Sequence, residues 1–310
     1  MKTYVMEEMP ETFWVELKVR NLQDDFSCEE NWDAEITIIR TRTKFDRALI
    51  DKFSNLKMII RAGSGYDNID VDYAQSKNIA VCNTPEANAY SAYEHTLALI
   101  FGLIKNLQYG KQEIETGNWK KKHPSNWEIP DLKVLVVGLG RVGTRVAKTL
   151  EYLGAKVLAV DPELCENEWQ EKGISPIHYI EGLKWCNLVT YHCPLYSDTF
   201  HYFNQKIVDG LDKPIWLVNA ARGKVVDFIA VNSGLDNNKL FGVALDVFEE
   251  EPWQSECCIN NPRFMITPHT GAFTTAAKDR MSIECVDVWQ KFVEEDVLIS
   301  PVDARFIYRK

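Results

Sequence analysis

Two kinds of apolar pattern alternate along this chain. Short runs rich in aliphatic and β-branched residues, at 35–40 (EITIIR), 57–61 (KMIIR) and 79–82 (IAVC), have the length and composition of buried strands. Amphipathic stretches such as 45–53 lie between them. Ser91 then opens a long helical pattern that can run to near Gly117. Ser91 and Glu94 are spaced as a capping box, in which each side chain satisfies a free N–H of the first turn. Residues 119–130, with Pro124 and Pro130, break the pattern and read as a crossing between domains. A second series starts at Lys133: strands at KVLVVG (133–138), KVLAVD (156–161), NLVTYHCP (187–194), IWLVNA (215–220), GVALDVF (242–248) and FMITPH (264–269), with a helix from Arg141 and a last helix over 274–295. Strands alternating with helices predict parallel α/β sheets.

Composition narrows what such a chain does. At 310 residues it holds two ordinary domains or one large one. Its most apolar stretch, 96–104, is too short for a transmembrane span. The N-terminus carries acids where a secretion signal is basic and then apolar, so a cytoplasmic protein is expected. A net charge of −10 argues against binding along a nucleic-acid backbone, and the basic run Lys120–Lys121–Lys122 reads as a solvated loop. Eight scattered cysteines, without a C-x-x-C pair, suggest reduced thiols and no metal site.

Gly138-Leu-Gly140-Arg-Val-Gly143 joins a predicted strand to a predicted helix. Alone, G-x-G-x-x-G is weak evidence; between strand and helix it is a dinucleotide fingerprint. Gly138 allows the tight turn, Gly140 lets backbone approach a pyrophosphate, and Gly143 lets helix and strand pack closely. Asp161 ends the next strand, where a carboxylate accepts from the adenosine ribose hydroxyls and repels a 2′-phosphate. NAD is therefore expected over NADP.

Oxidising an alcohol carbon requires a base for the hydroxyl proton, and histidine serves in both directions near neutral pH. A carboxylate beside the reacting carbon calls for a guanidinium. A carboxylate behind the histidine fixes its ring. Arg222, Glu251 and His269 supply the three types, each at the C-terminal end of a predicted strand of the second series. In open α/β sheets that edge carries the site. His192 also ends a strand and ranks behind His269; His95, one turn into a helix, reads as packed or capping; His123, His178 and His201 read as surface. Glu249 and Glu250 are rivals of Glu251 by register.

The blocks RAGSGYDNIDVD (61–72), NTPEANAYSAYEHTLAL (83–99), GLGRVGTRVA (138–147), NAARGKVVD (219–227), GVALDVFEEEP (242–252) and TPHTGAFT (267–274) resemble, in order, those of the D-isomer-specific 2-hydroxyacid dehydrogenases. The resemblance implies two Rossmann-like, doubly wound parallel-sheet domains with a cleft between them. Residues 1–105 plus 275–310 would form the substrate domain and 106–274 the NAD-binding domain of a homodimer. It makes His269 the acid/base, Glu251 its partner before proline, and Arg222 the binder of substrate carboxylate and carbonyl. Asp246 would hold the nicotinamide amide, Arg141 and Val142 would cradle the pyrophosphate, and Ser64 and Gly65 would meet the substrate carboxylate through backbone N–H groups. Tyr93 departs from the small or aliphatic residue usual in its block and is expected to narrow the cleft. Asp131 stands where glycine is frequent, which alters a turn.

The segment 38–50 resembles that of phosphoglycerate dehydrogenases, with Arg40 and Thr41 at the positions facing a substrate phosphate; Arg42 and Lys44 add charge. Oxidation of 3-phosphoglycerate, a step of serine biosynthesis, is the first expectation, and reduction of glyoxylate or hydroxypyruvate the second. Fold alone never fixes function, and a corepressor-like protein that binds peptides on the same scaffold is the expectation of another class.

Overall fold

Every strand pairing in the two sheets of this protein runs parallel. The structure, a computed structural model, describes residues 1–119, 126–254 and 261–302. The run Lys120–Lys122, His123, Cys257 and Cys258 lie outside the described residues. The chain divides into one unit of Met1–Ser91 with Ala272–Lys310 and another of Ala92–Gly271. The division thus falls inside a helix, Ala89–Ile104, and not at residue 105.

In the first unit the sheet consists of β1 (Thr3–Val5), β2 (Phe26–Ser27), β3 (Ile36–Ile39), β4 (Met58–Arg61) and β5 (Ala80–Asn83), in the order β2-β1-β3-β4-β5. All residues of β3 and β4 are buried, Thr37 and Arg61 included, in line with the strand reading of these runs. One face packs Ile36, Ile38, Met58 and Ile60 against Phe13 and Leu17 of the helix Glu11–Val19 and Trp289 of the helix Thr275–Glu295. The other face buries Ile39, Ile59 and Val81 with Phe45 and Val71. Thr274 caps the last helix by accepting the Ala277 N–H at 3.1 Å.

The second unit contains β6 (Lys133–Val137), β7 (Lys156–Val160), β8 (Ser175–Pro176), β9 (Leu188–Tyr191), β10 (Ile215–Asn219), β11 (Leu240–Leu245) and β12 (Phe264–Ile266), ordered β12-β11-β10-β9-β6-β7-β8. The order reverses between β6 and β9. At such a switch point the helices after neighbouring strands leave to opposite faces, which opens a crevice at the strand ends. Two apolar layers flank the sheet, one including Leu135, Val189, Leu217 and Val243, the other Val134, Val136, Leu188 and Val218. No helix among the described residues is long and apolar enough to cross a membrane.

Two local expectations are corrected. The helix at 91 begins earlier, at Ala89, so Ser91 is a buried residue inside it and not its cap. That helix stops at Ile104; Asn106 takes a left-handed conformation (φ 50°), which asparagine tolerates better than most residues, and a new helix runs over Leu107–Glu115. Tyr93 points its hydroxyl at Thr149 Oγ1, 2.9 Å away on the helix Arg141–Tyr152, where it packs beside the core.

Candidate active site

The C-terminal ends of the strands of the second unit gather the titratable groups. His269 follows β12, with its Nδ1 2.7 Å from Glu251 Oε2. The other oxygen of Glu251 accepts the Phe248 N–H at 3.0 Å. Burial alone would raise the Glu251 carboxyl, but the hydrogen bonds from His269 and Phe248 outweigh it and hold the group below the ordinary carboxylate range. Because a carboxylate only accepts, Nδ1 carries the hydrogen, which leaves Nε2 as the nitrogen free to exchange a proton.

The neighbouring glutamate faces elsewhere. Glu249 accepts the Phe228 N–H at 3.2 Å and lies 3.2 Å from His201 Nε2. Register along the sequence left these glutamates as rivals; the turn of the chain after β11 separates them. His201, read as a surface residue, is only part-exposed and belongs to this contact.

Arg222 follows β10 in a turn braced by Asn219, which donates to the Arg222 carbonyl at 2.9 Å and accepts the Ala221 N–H at 3.0 Å. The Arg222 guanidinium donates to the Ala221 carbonyl at 2.7 Å. Gly223 lies so close to the backbone of Phe248 and Glu249 that a Cβ there would overlap it. The arginine turn and the loop that carries Glu251 are therefore packed backbone to backbone.

Asp246, at the end of β11, is buried to 2% exposure and serves as the hub of the turn that holds His269. Its Oδ1 accepts from Thr267 Oγ1 at 2.6 Å and from the Thr270 N–H at 2.9 Å; its Oδ2 accepts the Gly271 N–H at 2.9 Å. Its main-chain carbonyl accepts the His269 N–H at 2.8 Å. His95 Nε2 lies 3.2 Å from Oδ1 and 3.0 Å from Thr267 Oγ1. Burial would raise the Asp246 carboxyl, but its donors, His95 and Thr267 first, keep it below the usual range. The sequence reading of His95 as packed or capping missed this pairing, because its partner is 151 positions away and no spacing marks it.

The glycine-rich turn is built for a dinucleotide. Gly138 has φ 94°, and a Cβ there would come within 2.7 Å of Cys193 N and 2.8 Å of His192 C, across the switch point. A Cβ on Gly143 would overlap the Gly138 carbonyl. At Gly140 a Cβ would meet nothing, so space remains open at the start of the helix Arg141–Tyr152, where free N–H groups and the helix dipole favour phosphate. Arg141 and Val142 form its first turn. Asp161, just past β7, accepts the Leu139 N–H at 2.8 Å and the Glu163 N–H at 3.1 Å, which ties the fingerprint acid to the turn itself. These residues fit the cofactor. His192 is half-buried with Nε2 3.0 Å from Thr190 Oγ1, and desolvation of its ring pushes it down to about 3, so it stays neutral and is no proton carrier near neutral pH.

The first unit holds the other expected residues. Ser64 is fixed by Asn83, which donates to its carbonyl at 2.8 Å, and by Asn88, which donates to its hydroxyl at 3.1 Å; Gly65 comes next in the same loop after β4. Arg40 and Thr41 lie in the loop after β3. Here Glu7, which no sequence motif marks, accepts the backbone N–H groups of Arg40 (2.8 Å), Arg42 (3.1 Å) and Thr43 (3.0 Å). The Arg40 guanidinium donates to the Glu8 carbonyl at 2.9 Å.

Elsewhere in the second unit, a groove of about 1430 Å³ runs from Asp161 and Pro162 to Lys206 and Gly210 and includes none of Arg222, Glu251 or His269. Among the described residues no group of three His, Cys, Asp or Glu side chains could hold a metal ion.

Residues 97–271 match the model of the D-isomer specific 2-hydroxyacid dehydrogenase, NAD binding domain. The chain is 31% identical to the D-3-phosphoglycerate dehydrogenase of Bacillus subtilis over 88% of its own length and 52% of that protein's. It thus spans about half the length of the phosphoglycerate dehydrogenases it matches. It is 30% identical to the hydroxypyruvate reductase of Thermotoga maritima over 88% of its own length and 89% of that protein's. A solved D-lactate dehydrogenase from Aquifex aeolicus, complexed with NAD and lactic acid, superposes with a TM-score of 0.82 at 27% identity and covers 96% of each chain. The chain belongs to the D-isomer-specific 2-hydroxyacid dehydrogenase family, and its second unit carries that family's NAD-binding domain.

Proposed function

We propose that this protein is an NAD-dependent oxidoreductase that moves a hydride between the nicotinamide and C2 of a small D-2-hydroxy or 2-keto acid. The 2.7 Å pair of His269 and Glu251 carries this reading. NAD, when bound, supplies the carbon that accepts or returns the hydride. His269 takes the hydroxyl proton at Nε2 during oxidation and gives it back during reduction; Glu251, kept ionised by its donors, stabilises the imidazolium and fixes the ring. Arg222 holds the substrate carboxylate and polarises the carbonyl. Ser64 and Gly65 meet the same carboxylate. Asp161 selects NAD, and Asp246 receives the nicotinamide amide.

Phosphoglycerate is the first substrate we propose, on the strength of Arg40 and Thr41 with Arg42 and Lys44 nearby. The enzyme would then work in serine biosynthesis, as a cytoplasmic homodimer. A specific observation favours an unphosphorylated acid such as hydroxypyruvate or glyoxylate: the Glu7 carboxylate already occupies the N–H groups of Arg40, Arg42 and Thr43. Steady-state NADH absorbance decides between them, with phosphoglycerate and glycerate in one direction, hydroxypyruvate and glyoxylate in the other. Phosphoglycerate turnover that is lost on Arg40→Ala supports the first; turnover of unphosphorylated acids alone supports the second. In either case His269→Ala should lower kcat by roughly 10²- to 10⁴-fold while NADH still binds. Undiminished turnover would overturn its assignment, and a wild type inert toward every acid would leave the peptide-binding role.

A further inference from the structure

We propose that His95 is a positioning residue for the acid/base His269, acting through Asp246; the proposal rests on the dehydrogenase reading. The hydrogen-bond directions are set by the groups present. Thr267 has one hydroxyl hydrogen, and it points to Asp246 Oδ1, 2.6 Å away. Asp246, held ionised by its donors, offers none. The His95 ring nitrogen that faces both, at 3.0 Å and 3.2 Å, must therefore be a donor, with Nε2–H shared between the Thr267 hydroxyl and the carboxylate. His95 stands on a helix whose Leu99, Ile100 and Leu103 are locked in the core, so its ring is a fixed post.

What that post holds is the turn 267–271. Its groups converge on Asp246: the Thr267 hydroxyl, the N–H groups of Thr270 and Gly271 on the carboxylate, and the His269 N–H on the main-chain carbonyl. His269 itself has φ 52°, a conformation a residue with a Cβ keeps only when its surroundings impose it. The fit is close on the other side as well. A Cβ on Gly271 would come within 2.9 Å of Asp246 Oδ2 and 3.3 Å of His95 Cδ2. His95 thus seals the carboxylate that dictates the backbone of His269. Glu251 sets the ring of His269 from the other end through Nδ1. Neither contact of His95 reaches Gly140, Arg141 or Asp161, the expected holders of pyrophosphate and ribose, so its loss should slow proton transfer more than it weakens NADH, which meets this network only through the nicotinamide amide at Asp246.

The test compares His95→Leu, which keeps bulk but no hydrogen bond, with His95→Gln, whose amide can place a donor near the position of Nε2. Three quantities are measured on the whole protein: steady-state kcat and KM with an acid the wild type turns over, the NADH Kd by fluorescence, and the NMR signals of the His269 ring without cofactor. Expected is a kcat lowered roughly 10- to 100-fold in His95→Leu, with KM little changed and the NADH Kd raised by less than kcat falls, shifted His269 signals, and most of the rate recovered in His95→Gln. Wild-type kcat in His95→Leu overturns the proposal. So does an equal loss in both variants accompanied by weaker NADH binding, which would mark His95 as mere packing. If the wild type turns over no hydroxy acid, the dehydrogenase reading fails, and the His269 signals judge the positioning alone: shifted in His95→Leu and restored in His95→Gln upholds it, unmoved refutes it.

Discussion

A charged residue reads a ligand only through the contacts left to it, and Asp161 has few left. Each of its oxygens already accepts a backbone N–H, from Leu139 and from Glu163, so it shapes the glycine-rich turn besides the ribose contact proposed for it. Asp161→Asn retains an acceptor for the turn and removes the charge. The ratio of kcat/KM with NAD to that with NADP should fall by about tenfold or more, the equivalent of about 1.4 kcal/mol. An unchanged ratio would mean that another residue reads the ribose. Residue identity was readable in the sequence wherever chemistry restricts the type: a base, a guanidinium, a carboxylate. Residue type alone did not choose among like residues; the resemblance to the family favoured Glu251, before proline. Glu249 and Glu251 differ by two positions, yet one meets Phe228 and His201 and the other His269.

Elements carry these side chains, and their close approaches are as restrictive as the side chains themselves. Gly223 starts the turn after Arg222, against the backbone of Phe248 and Glu249. In Gly223→Ala the new methyl must push the 248–251 loop away, and Glu251 with it. We expect a loss of about 1–3 kcal/mol in urea unfolding together with a lower kcat. Wild-type stability and rate would show that the loop yields freely. Strands of four or more residues built on apolar runs, such as β4, β6 and β10, were plain from sequence because burial on both faces confines polar residues to their ends. β1, β2 and β8 were missed. Each has two or three residues, too few for a period, although β1 sits inside its sheet between β2 and β3. The helix after Ser91 was over-extended, since one asparagine with positive φ interrupts an otherwise continuous helical pattern.

For the whole molecule, three carboxylates that accept hydrogen bonds from the folded chain set the acid limit of stability. Glu7, Asp246 and Glu251 are held below their ordinary values of 4.5, 3.8 and 4.5. Burial opposes this in each; backbone N–H donors prevail at Glu7, His95 with Thr267 and the turn N–H groups at Asp246, and His269 with Phe248 at Glu251. The unfolded chain therefore takes up their protons first as pH falls. Their stabilisation is complete above those ordinary values and is lost as pH drops through the lowered folded ones. The urea midpoint should stay level from neutral pH to about pH 5 and decline below about pH 4, less steeply in Glu7→Gln. A midpoint that holds at pH 3 would contradict these assignments. The parallel sheets, the glycine-rich turn and the strand ends of the second sheet that gather the candidate groups were all legible in local order along the chain. Strand and helix periods, and a turn between them, are properties of a few consecutive residues. The pairings His95–Asp246 and Glu7 with the Arg40–Thr43 loop were decided by the tertiary structure alone, and His269–Glu251 was expected only through the family resemblance. A hydrogen bond depends on distance and direction in space, and those are set only when strands fall into register and the loops at their ends are packed against one another.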